Sequence, residues 1–118
     1  MSKPEPEAHG LLFDLPAIDR ELRQEVAYLR EGHTARTLLR ASDLRIVFIV
    51  LKGGSRIAEH HANESASVQT ISGHLRLHLP DRTFEVPAGQ LLVLGSGLRH
   101  DVEASIDSAF VLALGWRE

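Results

Sequence analysis

The sequence predicts an all-β sandwich or barrel preceded by one amphipathic helix, and three observations carry that expectation. Helical periodicity is confined to residues 16–31. Beyond Gly32 the chain breaks into about nine short β-rich runs separated by turn residues. One run, His74 to Leu79, alternates strictly, with Leu75, Leu77 and Leu79 on one face and His74, Arg76 and His78 on the other. The polar set reads as a solvated sheet face.

Residues 1–13 read as a loose arm. Met1 to Gly10 contains Pro4, Glu5, Pro6 and Glu7 and too few apolar side chains to offset the entropy of ordering. A helix is expected over residues 14–32. Ile18, Leu22, Val26 and Leu29 recur at helical spacing, Asp14 can cap the N-terminus, and Gly32 can end the last turn.

Residues 33–118 then form a single β-domain. Its predicted strands are His33 to Arg40, Leu44 to Leu51, Arg56 to His61, Ser67 to Ser72, His74 to Leu79, Thr83 to Val86, Gln90 to Leu94, Leu98 to Glu103 and Ala109 to Leu114. Turn signals stand between them, among them Gly53-Gly54, Gly73, Pro80-Asp81, Pro87-Ala88-Gly89 and Gly95-Ser96-Gly97. The paired glycines are hairpin turns; no helix N-terminus or P-loop lysine follows either. Trp116, near the chain end, reads as a packing anchor for the last strand.

Composition narrows the function. The chain has 118 residues and no cysteine, which fits one core without disulfides or zinc-thiolate sites and leaves His, Asp and Glu as the strong metal ligands. A net charge of −3 without a long basic run argues against nucleic acid as a partner. Apolar stretches such as Ile46 to Leu51 fall far short of the roughly 20 residues that cross a bilayer, so no membrane partner is expected. No basic region followed by an apolar one opens the chain, and a cytoplasmic location is the expectation.

The spacing of glycines and histidines resembles the two motifs of the cupins, specifically small single-domain, RmlC-like members. Gly54, His60 and Gly73 fall in register with the first motif, and Gly89, Gly97 and His100 with the second. Two ligand positions of the first motif are replaced, its second histidine by Ala62 and its glutamate by Ala66. In the second motif Gly95 and Ala104 replace the proline and asparagine. The resemblance, which spans roughly Leu44 to Leu114, implies a double-stranded β-helix, or jelly roll, with His60 and His100 at one barrel mouth. It also implies a divalent transition metal (iron, manganese, nickel or zinc) as the possible cofactor, of which this chain keeps two matched histidines and no matched carboxylate.

Other residues are candidates for the vacant positions. His61 adjoins His60, and adjacent strand residues face opposite ways unless a bulge intervenes. Glu59 meets the same objection. Glu64, in the loop before the next strand, can fold back as a ligand, and Gln69 is a hydrogen-bond partner for a bound molecule. Asp101 and Glu103 flank His100 with the opposite parity and are expected to face solvent. Three readings follow. One is a cupin barrel that binds a small molecule through His60, Gln69 and His100 in a lining from residues such as Val68, Leu92 and Phe110. The others are a metal-dependent enzyme of dioxygenase or isomerase type, and a structural module with a filled barrel. A homodimer is expected because His33 to Arg40 and Ile46 to Leu51 look like sheet edges that need covering.

Overall fold

The helical segment forms as two short helices. The computed structural model of the chain describes residues 10–60 and 64–115; of Glu59 and His60 it describes the backbone. The expectations placed on residues 1–9, His61 and Trp116 lie outside the described residues. Helix α1 spans Leu15–Leu22 and α2 spans Val26–Glu31. Asp14 caps α1 through an Oδ1 that accepts from the Ala17 N–H at 3.1 Å, and Gly32 ends α2 in the left-handed conformation at φ 86°.

Between the helices, the Gln24 and Glu25 N–H groups turn back to the carbonyls of Glu21 and Leu22, and Glu25 is extended. A continuous helix would have set Val26 and Leu29 on the stripe of Ile18 and Leu22. The break rotates α2 so that Tyr28 is buried instead, while Val26 and Leu29 are 64% and 58% exposed. An aromatic ring removes more apolar area from water than a valine, which favours the broken arrangement.

Strand β1 is His33–Arg40, β2 Leu44–Leu51, β3 Arg56–His60, β4 Ala66–Ser72, β5 His74–His78, β6 Thr83–Pro87, β7 Leu91–Leu94, β8 His100–Ala104 and β9 Ser108–Gly115. They form a five-stranded sheet in the order β1-β2-β9-β4-β7 and a four-stranded sheet in the order β3-β8-β5-β6, with every pairing antiparallel. The predicted strands are all present, with ends moved by a residue or two.

Short connections dictate how the sheets stack. The chain passes from β2 to β3 through residues 52–55, from β4 to β5 through Gly73, from β6 to β7 through 88–90 and from β8 to β9 through 105–107. Packed sheets lie about 10 Å apart, so links this short reach only the facing strand. Consequently β2 lies over β3, β9 over β8, β4 over β5 and β7 over β6, which reproduces the strand order of both sheets. This is the all-β jelly roll the sequence predicts, and β1 overhangs its edge. The hairpins β1–β2 and β5–β6 and the connections leaving β3 and β7 all fall at the other end of the barrel, where β3 finishes and β8 begins.

Between the sheets lies a core of Ile49, Leu51, Val68, Leu75, Leu77, Val86, Leu94, Val102 and Phe110, among others. A second cluster, which includes Ile18, Leu22, Tyr28, Leu38, Phe48 and Val50, joins the helices to the outer face of the five-stranded sheet. These two clusters correct one expectation. The run Ile46 to Leu51 is no sheet edge, because β2 lies between β1 and β9. It is apolar throughout because Ile49 and Leu51 face the barrel core while Phe48 and Val50 face the helices. Only β1 of the two predicted edges is an edge.

Gly73 shows why a glycine is needed at the one-residue link. Its φ is +83°, and a Cβ there would collide with the Asp107 carbonyl and with Ser108, whose Cα would lie at 2.7 Å. Among the described residues no helix is long and apolar enough to cross a membrane.

Candidate functional site

The end of β3 and the start of β8 meet at this end of the barrel. Arg56 pairs with Glu103 and Ile57 with Val102, a register that would set Glu59 opposite His100. A one-residue irregularity after Ile57 sets His60 there instead. The two motif histidines therefore occupy directly opposed backbone positions on neighbouring strands.

His100 shares the inner parity of Val102 and Ala104, both core residues, and is 2% exposed. Its Nδ1 lies 3.0 Å from the Leu98 carbonyl oxygen. A carbonyl only accepts, so Nδ1 carries the proton and donates, and in the neutral ring Nε2 is the basic nitrogen. The loop before β8 thus fixes both the ring orientation and its tautomer.

The structure distributes the remaining candidates differently from the sequence expectation. Gln69 sits on the exposed outer face of β4, opposite in parity to buried Val68 and Thr70, and so does not face the barrel interior. Val68 and Phe110 are packed in the core between the sheets and Leu92 packs against it. Glu64 is half-buried beside the end of β9, where a Cβ on Gly115 would come 2.9 Å from its own Cβ. Glu59 is displaced from the position opposite His100 by the register slip.

A metal of the kind this fold commonly carries needs three or more converging donors. Where the motif's carboxylate falls, Ala66 is 5% exposed and packed in the barrel core. Among the described residues no group of three His, Asp or Glu side chains is placed to hold a metal ion.

The outer face of the four-stranded sheet is a polar lattice, as its alternation predicts. His74 Nε2 lies 2.7 Å from Glu85 Oε1, which Arg76 Nε also approaches at 3.2 Å. His78 Nε2 meets Glu103 Oε1 at 2.9 Å and its Nδ1 meets Thr83 Oγ1 at 3.0 Å. The hydrogen bond with His74 draws the Glu85 carboxyl below its ordinary pKa. Asp101 departs from the solvated role expected of it. It is 9% exposed, its Oδ2 accepts from Arg56 Nη2 at 2.6 Å, and this bond raises the pKa of the arginine. Its buried Oδ1 has no hydrogen-bond partner among the described residues.

A separate groove of about 220 Å³ is lined by the apolar side chains of Leu11, Phe13, Leu39 and Ile46.

No family model matches the sequence, and no curated protein matches it. Solved structures do match. A conserved protein of unknown function from Streptococcus pyogenes shares 26% identity at TM-score 0.77, covering 100% of this chain and 97% of that one. A cupin-2 domain protein from Shewanella frigidimarina superposes at TM-score 0.70 and 13% identity over 88% of this chain and 94% of its own. The chain has the cupin fold. Salicylate 1,2-dioxygenase from Pseudoaminobacter salicylatoxidans, solved as an adduct with gentisate, superposes on the same cupin fold at TM-score 0.76 and 18% identity. That match covers 87% of this chain and 32% of the dioxygenase, so this cupin domain corresponds to about a third of that enzyme's chain.

Proposed function

We propose that this cupin domain binds a small molecule at the end of the barrel around His60 and His100, and that its site is a reduced form of the metal centre of the fold. The observation that carries this reading is the pairing of His60 with His100 at an end where the motif's carboxylate position is a core alanine, Ala66. Two imidazoles retain hydrogen-bonding capacity after the metal donor set is lost. The resemblance to a dioxygenase fold favours the alternative of a metal-dependent enzyme only if donors outside the described set complete the site. A second copy of the chain is the proposed protein partner, and a monomer by light scattering at micromolar concentration would remove that part.

Elemental analysis of tag-free protein purified without chelator tests the site reading directly. The expected result is well below one equivalent of any transition metal, together with small-molecule hits in a thermal-shift screen that vanish in His100→Ala. Near one equivalent of metal, lost in both His60→Ala and His100→Ala, would replace the reading with the metalloenzyme.

A further inference from the structure

We infer that the uncovered half of the outer face of the five-stranded sheet is where a second copy of this chain packs, face to face about a two-fold axis; this rests on the proposal that the protein partner is a second copy. The ladders place Leu39 opposite Ile46, Ile46 opposite Ala113, Ala113 opposite Ser67 and Ser67 opposite Val93. These five residues therefore form one row across β1, β2, β9, β4 and β7, about 19 Å long at the ordinary strand spacing. The row is on the outer face, because Val68 and Leu94, next to Ser67 and Val93 in the chain, pack in the barrel core. The helix layer stops short of most of it. Helices α1 and α2 join the cluster of Phe48, Val50 and Ala109 further along the same strands, and they leave Val93, Leu91 and Leu44 exposed.

The two outer faces of the barrel differ in kind. On the four-stranded sheet, His74, Arg76, His78, Glu85, Asp101 and Glu103 make the polar lattice that a solvated sheet face ordinarily carries. Along the row on the five-stranded sheet, and at Leu44, Ser65 and Gly115 beyond it, no side chain carries a charge. The apolar surface continues past Leu39 and Ile46 into the groove bounded by Leu11 and Phe13, and Leu12 between those two is fully exposed. The side chains of residues 11–13, with Val93, Leu91 and Leu44, expose on the order of 600 Å² of apolar surface, the upper end of what a monomer leaves in one patch. That is most of the roughly 800 Å² that each partner of a stable dimer buries.

Area and charge select a second copy as the occupant. A charged partner finds no counter-charge along this row, and an anionic membrane is disfavoured by the formal charge of −3. A second copy brings an uncharged apolar surface of the same size. It must present this same face, because its other sheet face would lose the hydration of the charged lattice, and two identical patches meet about a two-fold axis. The face also complements itself in shape. Small residues Ala113 and Ser67 line a shallow depression of about 240 Å³, and beside it Leu91 and Val93 stand exposed as aliphatic side chains that fill the depression of the other copy. The contact uses a sheet face, not the strand edges.

The test is sedimentation equilibrium of the full chain, with lysine placed at one of two exposed valines. Val93→Lys sets like charges into an apolar contact from both copies and is expected to raise the dimer dissociation constant at least about a hundred-fold. Val26→Lys, on the exposed side of α2, should leave it unchanged. In a mixture of labelled and unlabelled unmodified chains, isotope-filtered NMR should show intermolecular contacts between the Val93 methyls and those of Leu44 or Ala113. That measurement decides the face even if Val93→Lys does not fold. A dimer that survives Val93→Lys and lacks those contacts would overturn the inference and leave the second-copy proposal standing. A chain that stays monomeric at high micromolar concentration removes both. If such a monomer binds phosphatidylcholine vesicles and Val93→Lys does not, the face belongs to a lipid surface instead.

Discussion

His60 stands opposite His100 because the β3–β8 ladder slips by one residue after Ile57. Without the slip, Glu59 would take that position and the two motif histidines would sit on staggered backbone positions. Bulges of this kind re-aim residues near functional sites, and here the slip lies on the strand that brings His60 to His100. The pairing of the histidines is a property of the irregular ladder as much as of the residues themselves.

The structural and ligand-binding roles of His100 are separable by substitution. Its Nδ1–H donates to the Leu98 carbonyl at 3.0 Å, and His100→Ala leaves that half-buried carbonyl without its donor. Losing such a bond costs about 1–3 kcal/mol. The amide nitrogen of asparagine can occupy the place of Nδ1 while nothing replaces Nε2. His100→Asn is therefore expected to recover most of the stability in urea denaturation but none of the ligand binding. Full binding by His100→Asn would show that the ring's basic nitrogen is dispensable.

Two motif glycines are expected to differ sharply in their tolerance of a side chain. Both have positive φ, Gly54 at 87° and Gly73 at 83°. A Cβ at Gly54 meets nothing within 4 Å, whereas at Gly73 it meets the Asp107 backbone and Ser108. Gly54→Ala should cost about 1–2 kcal/mol, the strain of a left-handed alanine alone. Gly73→Ala should cost more than that, because the backbone of the β8–β9 connection must also move. Equal losses in denaturant midpoint for the two variants would contradict the close approach at Gly73.

Much of the fold was legible in the sequence because strand alternation and turn residues are local signals. His33–Arg40 and Leu44–Leu51 form strands over the predicted residues, and Asp14 and Gly32 cap the helical segment as read. What the sequence hid depends on contacts between distant segments. Val26 continues the helical stripe in sequence, yet the docking of Tyr28 turns it outward. Gln69 has the right residue type for a binding site, but its parity relative to Val68 and Thr70 places it outside the barrel. Asp101 also has outward parity, and only the approach of Arg56 from the neighbouring strand explains a buried carboxylate there. Which face of β2 lies inward is settled only by the stacking of the two sheets.

Glu85 supplies a pH-dependent contribution whose sign follows from its environment. The hydrogen bond with His74 is the largest influence on its carboxyl, and Arg76 adds to it, so the pKa in the folded protein lies below the ordinary glutamate range. A depressed carboxyl stabilises the fold above its unfolded pKa, and that contribution is lost as pH falls through the folded value. Glu85→Gln should therefore lower the urea midpoint at neutral pH, with the difference from the unmodified protein closing as pH falls through the depressed pKa of the folded protein. A gap that widens on acidification would reverse the assignment. The effect is expected to be small, because the pair is exposed and screened by salt.

The helices can be tested as a docked layer on the barrel. Leu22 is 1% exposed and lies in the cluster with Phe48 and Val50, while Val26, one predicted helical turn later, is 64% exposed. Truncating a buried leucine removes apolar burial and leaves a cavity, together costing about 2–5 kcal/mol. Leu22→Ala is expected in that range by chemical denaturation. Val26→Ala should change stability by less than about 0.5 kcal/mol, since its side chain packs little and alanine favours helix. A continuous amphipathic helix would instead make both substitutions costly. Comparable losses at the two positions would therefore contradict the break between α1 and α2 and the rotation that buries Tyr28.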